Sequence, residues 1–379
     1  MTQAAERDTD NLIDGRDEMN LSEFPVSVLS ERAPKGVTTL QFSKRDWDGS
    51  LKQYVDRKLT VEGSSTHGLP AAKDEEVVLG LIQVTKSFNN FQSEKVEFKQ
   101  AELLELLGWS NDGRSYVRLN KAFHRLMGVR LYYENAWRDN SDKQYVTRGG
   151  FSIISSFRLN DSRKGKHRDK QITSEFEWSS TFAKSFRDGY LKQLDYSLVR
   201  SFKHSVTKRL YRFMDKHFYP PKKVELVFDL KTLAFEHLGI SRSRDTFDIK
   251  RTLAPAIKEL EKVGYILKLP VEDRYWKSET GNWKIRFHLC QPAESVKPSR
   301  QTYKVVAAEP QEPIVDLSNY SENELHDMEL FGLAICQEKY PTIFDGYQRN
   351  KEGSGQAFKR YKEMVIRVYL EENGQQLVA

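Results

Sequence analysis

The chain has 379 residues, of which 38% are hydrophobic and 30% charged, and its formal net charge is +6. This composition is that of a globular protein with more than one core and excludes an intrinsically disordered chain. Two cysteines without a Cys-x-x-Cys pair, no apolar run of about 18 residues and no hydrophobic N-terminal segment predict a cytoplasmic protein without disulfides, structural zinc, membrane span or secretory signal.

Charge is distributed unevenly along the chain. Residues 1–31 contain eight acidic and two basic residues, residues 200–223 eight basic and one acidic, and residues 305–338 eight acidic and none basic. Acidic ends around a basic middle favour a centre that binds a polyanion, although a solvated surface explains any one block equally well.

The elements of a first unit follow an acidic, flexible leader predicted over residues 1–20. Short strands and loops come first, and then a helix over Lys73 to Phe88. The strand "KVEF" and a short helix ended by Gly108 precede a long helix that runs from a cap at Asn111 or Asp112 to Gly128. A hairpin with a polar tip at residues 138–143 follows. This order is typical of a winged-helix domain, a helix-turn-helix followed by a β wing.

The same order recurs downstream. A helix over residues 204–218, the strand "VELVFDL", a short helix ended by Gly239, a long helix ended by Gly264 and a second hairpin form the repeat. Between the copies lie the strand "ITSEFEWS" and a helix over residues 180–186, and a Pro-rich linker separates the repeat from helices over residues 321–339 and 355–371. The predicted fold class is therefore α+β, with tandem winged-helix domains over residues 21–200 and 201–291, a linker over 292–316 and a helical tail over 317–379.

The first long helix has a basic face. Four cations, Arg114, Arg118, Lys121 and Arg125, fall within an arc of about 60° at 100° per residue. The opposite face is predicted to be apolar and to contain Tyr116, Leu119, Phe123, Leu126 and Met127. Acidic partners at i,i+4 are missing after Asp112, which is unusual for a solvated helix face.

The second long helix has a less pure basic face, on which Arg251, Lys258 and Lys262 project together. Four acidic residues intervene, and Pro255 is predicted to kink or divide the helix. Hydroxyls and guanidiniums precede this helix, and recognition helices contact bases mainly through their N-terminal residues. For one such helix, a solvated surface and a DNA-binding surface are equally good explanations. Two basic helices in the same position of a repeat favour DNA binding.

Two loops add basic side chains, in residues 158–170 and beside the Pro-Pro turn at residues 219–223, where a backbone contact and a solvated loop are equally good explanations. The predicted DNA-binding residues are Arg114, Ser115, Arg118, Lys121, Arg125, Arg163, Lys164, Lys166, Lys222, Lys223, Arg242, Arg244, Thr246, Lys250 and Arg251. The chain has no P-loop, no His-x-His pair and no His-Glu-x-x-His motif, so no catalytic residue, metal or cofactor is predicted.

Three phrases resemble the plasmid replication initiator protein A family, which is related to theta-type, iteron-binding initiators: "EFPVSVLSERAPKG", "HGLPAAKDEEVVLGLIQVTK" and "LLELLGWSNDGRSYVRLNKAFHRLMGVRLYYENAW". The resemblance is strongest over residues 23–160 and continues to residue 289. It implies two winged-helix domains that bind directly repeated origin DNA in successive major grooves, with residues 112–127 and 244–262 as the recognition helices.

The resemblance also implies a function without catalysis. The protein would bind the origin, open an adjacent AT-rich stretch and recruit the host initiator and the replicative helicase, in an equilibrium between homodimers and origin-opening monomers. A winged-helix transcriptional repressor, including an autoregulator, is an alternative that is compatible with the same residues. A metal-dependent nicking enzyme is disfavoured, because it needs a metal-binding His pair.

Overall fold

The computed structural model describes residues 14–48, 52–160, 173–218, 224–290, 321–340, 343–344, 347–348, 351 and 356–372. The chain divides into two compact units, Met1–Ala307 and Ala308–Ala379. Among the described residues, no helix is long and apolar enough to cross a bilayer.

The first half of the larger unit contains the elements β1 (Gly15–Glu18), β2 (Thr39–Asp48), β3 (Gln53–Glu62), α1 (Ala72–Asn89), β4 (Lys95–Phe98), α2 (Gln100–Leu107), α3 (Gly113–Gly128), β5 (Arg130–Asp139), β6 (Gln144–Phe151), β7 (Ile154–Arg158), β8 (Ser174–Trp178), α4 (Ser180–Arg187), β9 (Leu191–Leu194) and α5 (Tyr196–Ser201). Its second half contains α6 (Ser205–His217), β10 (Glu225–Asp229), α7 (Leu230–Thr232), which continues as a π-helical turn over Leu233–His237, α8 (Thr246–Lys262), α9 (Val271–Arg274), β11 (Tyr275–Lys277) and β12 (Trp283–His288). The smaller unit contains α10 (Glu322–Lys339) and α11 (Gln356–Glu372).

Local capping signals place the helix ends. Asp112 caps α3 by accepting the N–H of Ser115, and Gly108 ends α2 in the left-handed region at φ 69°. Asp245 caps α8 in the same way, so this helix begins two residues after Arg244. The predicted division of α8 at Pro255 is wrong, because the helix continues through it while Leu253, Ala256 and other residues on one side are buried.

Two three-stranded antiparallel sheets have the same strand order relative to the helices. One is β4-β8-β7 and the other β10-β12-β11, so in each the first strand pairs with the last strand of a hairpin that follows the long helix. The hairpin of the first sheet is β7–β8, and the hairpin predicted with its tip at residues 138–143 is a separate one. That tip belongs to β5–β6, which instead joins the four-stranded sheet β2-β3-β5-β6 because β5 pairs with β3.

Two apolar cores lie in the larger unit. The first is built from α1 to α4 and their sheets and includes Leu81, Leu103, Phe123, Phe176 and Trp178. The second is built mainly from α6, α8 and β12 and includes Leu210, Phe213, Leu253, Leu260 and Phe287. Residues of β9 and α5, such as Leu194 and Val199, pack in the second core although they precede the predicted boundary at residue 200.

The end of the predicted leader is part of the fold, while residues 1–13 lie outside the described residues. β1 pairs with β9, and Asp17 is fully buried. Arg212 donates to both oxygens of Asp17, at 2.8 and 2.9 Å, and to Glu75 at 2.5 Å. Arg209 donates to Glu75 as well. The acidic leader and the basic block thus neutralise each other inside the larger unit.

This buried ion cluster corrects the interpretation of residues 200–223 as a polyanion-binding surface for two of its basic residues, Arg209 and Arg212. Arg209 and Arg212 are only 6% and 3% exposed. Burial alone would raise the pKa of Asp17 and of Glu75, but the neighbouring guanidiniums hold both pKa values below their ordinary range. An Arg side chain with two buried carboxylate partners is not available to a phosphate.

The smaller unit has its own small core, formed by Cys336, Tyr347, Val365 and Val368. Ser321 and Glu324 form a capping box at the start of α10, as the sequence pattern "SENE" indicates. Helices predicted over residues 321–339 and 355–371 are thus confirmed to within a residue, whereas the predicted linker over 292–316 lies outside the described residues.

Candidate nucleic-acid interface

The long helix α3 has one buried and one exposed face. Leu119, Phe123 and Leu126 are fully buried against the first core, whereas Arg114, Arg118 and Lys121 are exposed. No ion pair to these three cations is found in the part of the chain that the structure describes. Met127, which was predicted to face inward, is 43% exposed, because the buried face is rotated toward Ser115 and Ala122.

Arg118 is oriented by the turn that precedes α3. Its guanidinium lies 5.1 Å from the centroid of the Trp109 ring, a distance at which cation and ring attract each other. The ring face contacts the plane of the guanidinium and accepts no hydrogen bond from it. The N–H donors of Arg118 therefore stay available for a phosphate or a base edge. Trp109 itself follows Gly108 at the end of α2, so the helix-to-helix turn positions this cation.

Two residues predicted to contact DNA from α3 are engaged within the fold. Arg125 binds the buried carboxylate of Asp74 through two hydrogen bonds, at 2.6 and 2.7 Å, at the first turn of α1. Ser115 is 5% exposed and gives its backbone N–H to the cap Asp112. The predicted four-residue basic stripe is therefore a three-residue surface, Arg114, Arg118 and Lys121.

The long helix α8 also exposes a single stripe. Phe247, Arg251, Ala254 and Lys258 recur at i, i+4, i+7 and i+11, within an arc of about 60° at 100° per residue. Ile249, Leu253 and Leu260 are fully buried on the opposite side. Arg251, Lys258 and Lys262, which were predicted to project together, are indeed all exposed.

The four acidic residues in and before α8 weaken its basic face less than the sequence indicates. Asp245 is the cap, Glu259 accepts hydrogen bonds from Lys203 and Thr207, and Glu261 binds Arg274 at 2.7 Å. Asp248 instead pairs with basic side chains of the exposed face, Arg251 at 2.6 Å and Arg244 at 3.4 Å. Such exposed pairs contribute little to stability and are readily exchanged for a phosphate.

Two predicted DNA contacts near α8 have other partners. Arg242 binds the carboxylate of Glu236 and donates to the backbone carbonyl of Gln41, so it closes the open edge of β2. Lys250 lies 3.2 Å from the ring centroid of Trp283 and 4.8 Å from that of Tyr275, and thereby holds the β11–β12 hairpin against α8. Both residues thus have partners within the fold, although the Arg242 side chain remains 56% exposed.

The remaining predicted residues divide into two groups. Arg244 is exposed just before the cap of α8, and Thr246 is the half-buried first residue of that helix. Five residues lie outside the described residues: Arg163, Lys164, Lys166, Lys222 and Lys223. In the sequence, the first three of these stand between β7 and β8.

Sequence reasoning missed the apolar members of both exposed faces. Val117 on α3 is 55% exposed and Phe247 on α8 is 71% exposed. The same angular spacing that identified the cations places both residues on the cationic side, so the signal was present in the sequence. Among the described residues, no group of three or more His, Cys, Asp or Glu side chains could hold a metal ion.

Comparison with known proteins finds one family model and several solved structures. The family model described as replication initiator protein A matches residues 16–256. A solved structure of domains 2 and 3 of RctB has 13% sequence identity and a TM-score of 0.45, over 72% of this chain and 98% of that chain. A second structure of RctB domains 2–3 has 12% identity and a TM-score of 0.41, over 70% and 95% of the two chains. No curated protein matches the sequence.

Proposed function

The chain belongs to the replication initiator protein A family, and we propose that it acts by binding double-stranded origin DNA sequence-specifically through two tandem winged-helix domains. In this proposal α3 and α8 are the recognition helices, and the hairpins β7–β8 and β11–β12 are the wings. The winged-helix assignment rests on the order of elements and on the shared strand order of the two small sheets.

The observation that carries the proposal is the repetition of one arrangement. In both halves a long helix buries one side in its own core and exposes a cationic side, after a short helix that ends at a glycine. Exposed like charges at i,i+4, such as Arg114 and Arg118, repel each other on an isolated helix. Phosphates relieve this repulsion, and release of their counterions contributes most of the non-specific affinity.

The two helices have different parts in the proposed mechanism. On α3 the cations are spread over two turns, which suits contacts to successive phosphates. On α8 the residues Arg244, Phe247 and Arg251 cluster at the N-terminal end, from which recognition helices contact base edges. Binding energy from both would bend or open an adjacent AT-rich stretch, and no covalent step by this protein is required.

Partner recruitment is the part of the proposal that comes from the family alone. Recruitment of the host initiator and replicative helicase, and a homodimer that dissociates into origin-opening monomers, follow the behaviour of related initiators. These steps need surfaces other than α3 and α8.

Footprinting on the DNA that flanks the gene tests the proposal. Two domains on successive major grooves protect direct repeats of about 20 base pairs, since one turn is about 10.5 base pairs. A single inverted repeat without an AT-rich neighbour would support the repressor instead. Metal-dependent cleavage of supercoiled DNA, abolished by one carboxylate or tyrosine substitution, would support a nicking enzyme.

A further inference from the structure

Phe247 is an exposed aromatic residue in a cationic setting. Its side chain is 71% exposed although it is the second residue of a helix whose opposite side is fully packed. The Arg251 guanidinium lies 5.9 Å from its ring centroid, and Arg244 is half-exposed just before the cap. A large apolar side chain that packs in no core is held out to solvent among arginines.

The long helix of the first domain also exposes an apolar side chain on its cationic side. Val117 is 55% exposed on α3 and lies one turn from Arg114 and Lys121. Each recognition helix thus presents a cationic stripe with one large apolar side chain in it. A cationic stripe that contains an apolar side chain is complementary to a polyanion that also offers an apolar group. It is not complementary to an uncharged protein surface.

The major groove offers one such apolar group. Thymine carries a 5-methyl group there, whereas adenine, guanine and cytosine present only donors and acceptors in addition to ring edges. We propose that Phe247 contacts the 5-methyl group of a thymine in the bound site and so determines the base at that position. This inference rests on the proposed function, since it needs α8 to lie in the major groove.

Val271 provides a matched control, because it is exposed to the same 71%. It is the first residue of α9, four positions after Leu267, whose backbone N–H donates to the carbonyl of His288. Val271 belongs to a different helix from Phe247, so it takes no part in the proposed contact of α8 with a base. A substitution there changes exposed apolar area without changing the proposed contact.

The test removes the methyl group from the DNA and the ring from the protein. Full-length wild-type protein selects duplexes from a random pool, and the selected duplex is resynthesised with each thymine in turn replaced by deoxyuridine. One replacement should weaken wild-type binding about fourfold, because a buried methyl contributes about 0.8 kcal/mol and 1.4 kcal/mol is tenfold. Phe247→Ala should bind the thymine and uridine duplexes equally, while Val271→Ala should keep the fourfold difference.

Each outcome decides between the inference and the proposed function. If no thymine in a selected duplex is sensitive to loss of its methyl, or if Phe247→Ala keeps the wild-type ratio, the thymine contact is wrong while DNA binding stands. If the protein enriches no duplex at all, the proposed function fails, and the contact fails with it. Phe247→Leu, which keeps an apolar side chain, should retain part of the difference.

Discussion

Arg118 and Arg125 lie two turns apart on α3, and their substitution should have opposite consequences. We consider Arg118→Met and Arg125→Met, because Met keeps most of the apolar stem and removes the guanidinium. Arg118 is exposed and stacked on Trp109, whereas Arg125 binds Asp74, whose side chain is 1% exposed. One substitution removes a phosphate contact and the other leaves a buried carboxylate without its cation.

The magnitudes follow from these two environments. Breaking a buried pair by removing one partner costs about 3–5 kcal/mol, and the 20% exposure of the Arg125 side chain places its loss near about 3 kcal/mol. Removal of an exposed side chain such as Arg118 changes the free energy of unfolding by less than about 0.5 kcal/mol. Loss of one phosphate contact lowers the slope of log affinity against log salt by about 0.9.

Two measurements on the same variants separate these effects. Urea denaturation gives the free energy of unfolding, and titration of a random-sequence duplex between low and moderate salt gives the slope. Arg118→Met should flatten the slope at unchanged stability, and Arg125→Met should lose stability at unchanged slope. A flattened slope and wild-type stability in Arg125→Met would refute the assignment of this guanidinium to Asp74.

Two further predictions concern stability in the larger unit. Arg212→Met should lower the free energy of unfolding by about 3–5 kcal/mol, since it leaves Asp17 and Glu75 buried without that cation. Denaturation at pH 7 measures this loss, and a loss below about 1 kcal/mol would contradict the prediction. Burial lowers the pKa of His237 to about 4. Because the unfolded His, with a pKa of about 6.5, gains its proton first, stability from this residue is present above pH 6.5 and falls by about 2 kcal/mol at pH 5. His237→Asn should lose that part of the pH dependence, and an identical slope in the variant would exclude His237 as its source.

Helix positions could be predicted because their determinants are local. Asp112 caps α3 through a residue three positions on, and Gly108 ends α2 by its own backbone conformation. The exposed stripes followed from helical spacing for the same reason. Strand pairing is not local, and so the hairpins β5–β6 and β7–β8 were merged into one predicted wing.

Side-chain partners were the part of the site that spacing could not predict. Arg125 and Asp74 are 51 positions apart, and Arg242 reaches Gln41 over 201 positions. The basic run over residues 200–223 had the composition of a DNA-binding surface, yet Arg212 serves a carboxylate 195 positions earlier. The number of basic residues can be read from the sequence. Whether a carboxylate of the protein or a phosphate of DNA neutralises them depends on the fold.

Binding of the footprinted duplex by a charge-removal variant tests the central claim most directly. The variant replaces Arg114, Arg118 and Lys121 on α3, with Arg251 and Lys258 on α8, by Gln. A control replaces Lys58, Arg130 and Arg148, which are exposed on β3, β5 and β6. At equal salt, the first variant should lose specific binding while it keeps wild-type stability, and the control should bind as the wild type does. Wild-type affinity in the first variant would contradict the assignment of α3 and α8 to DNA.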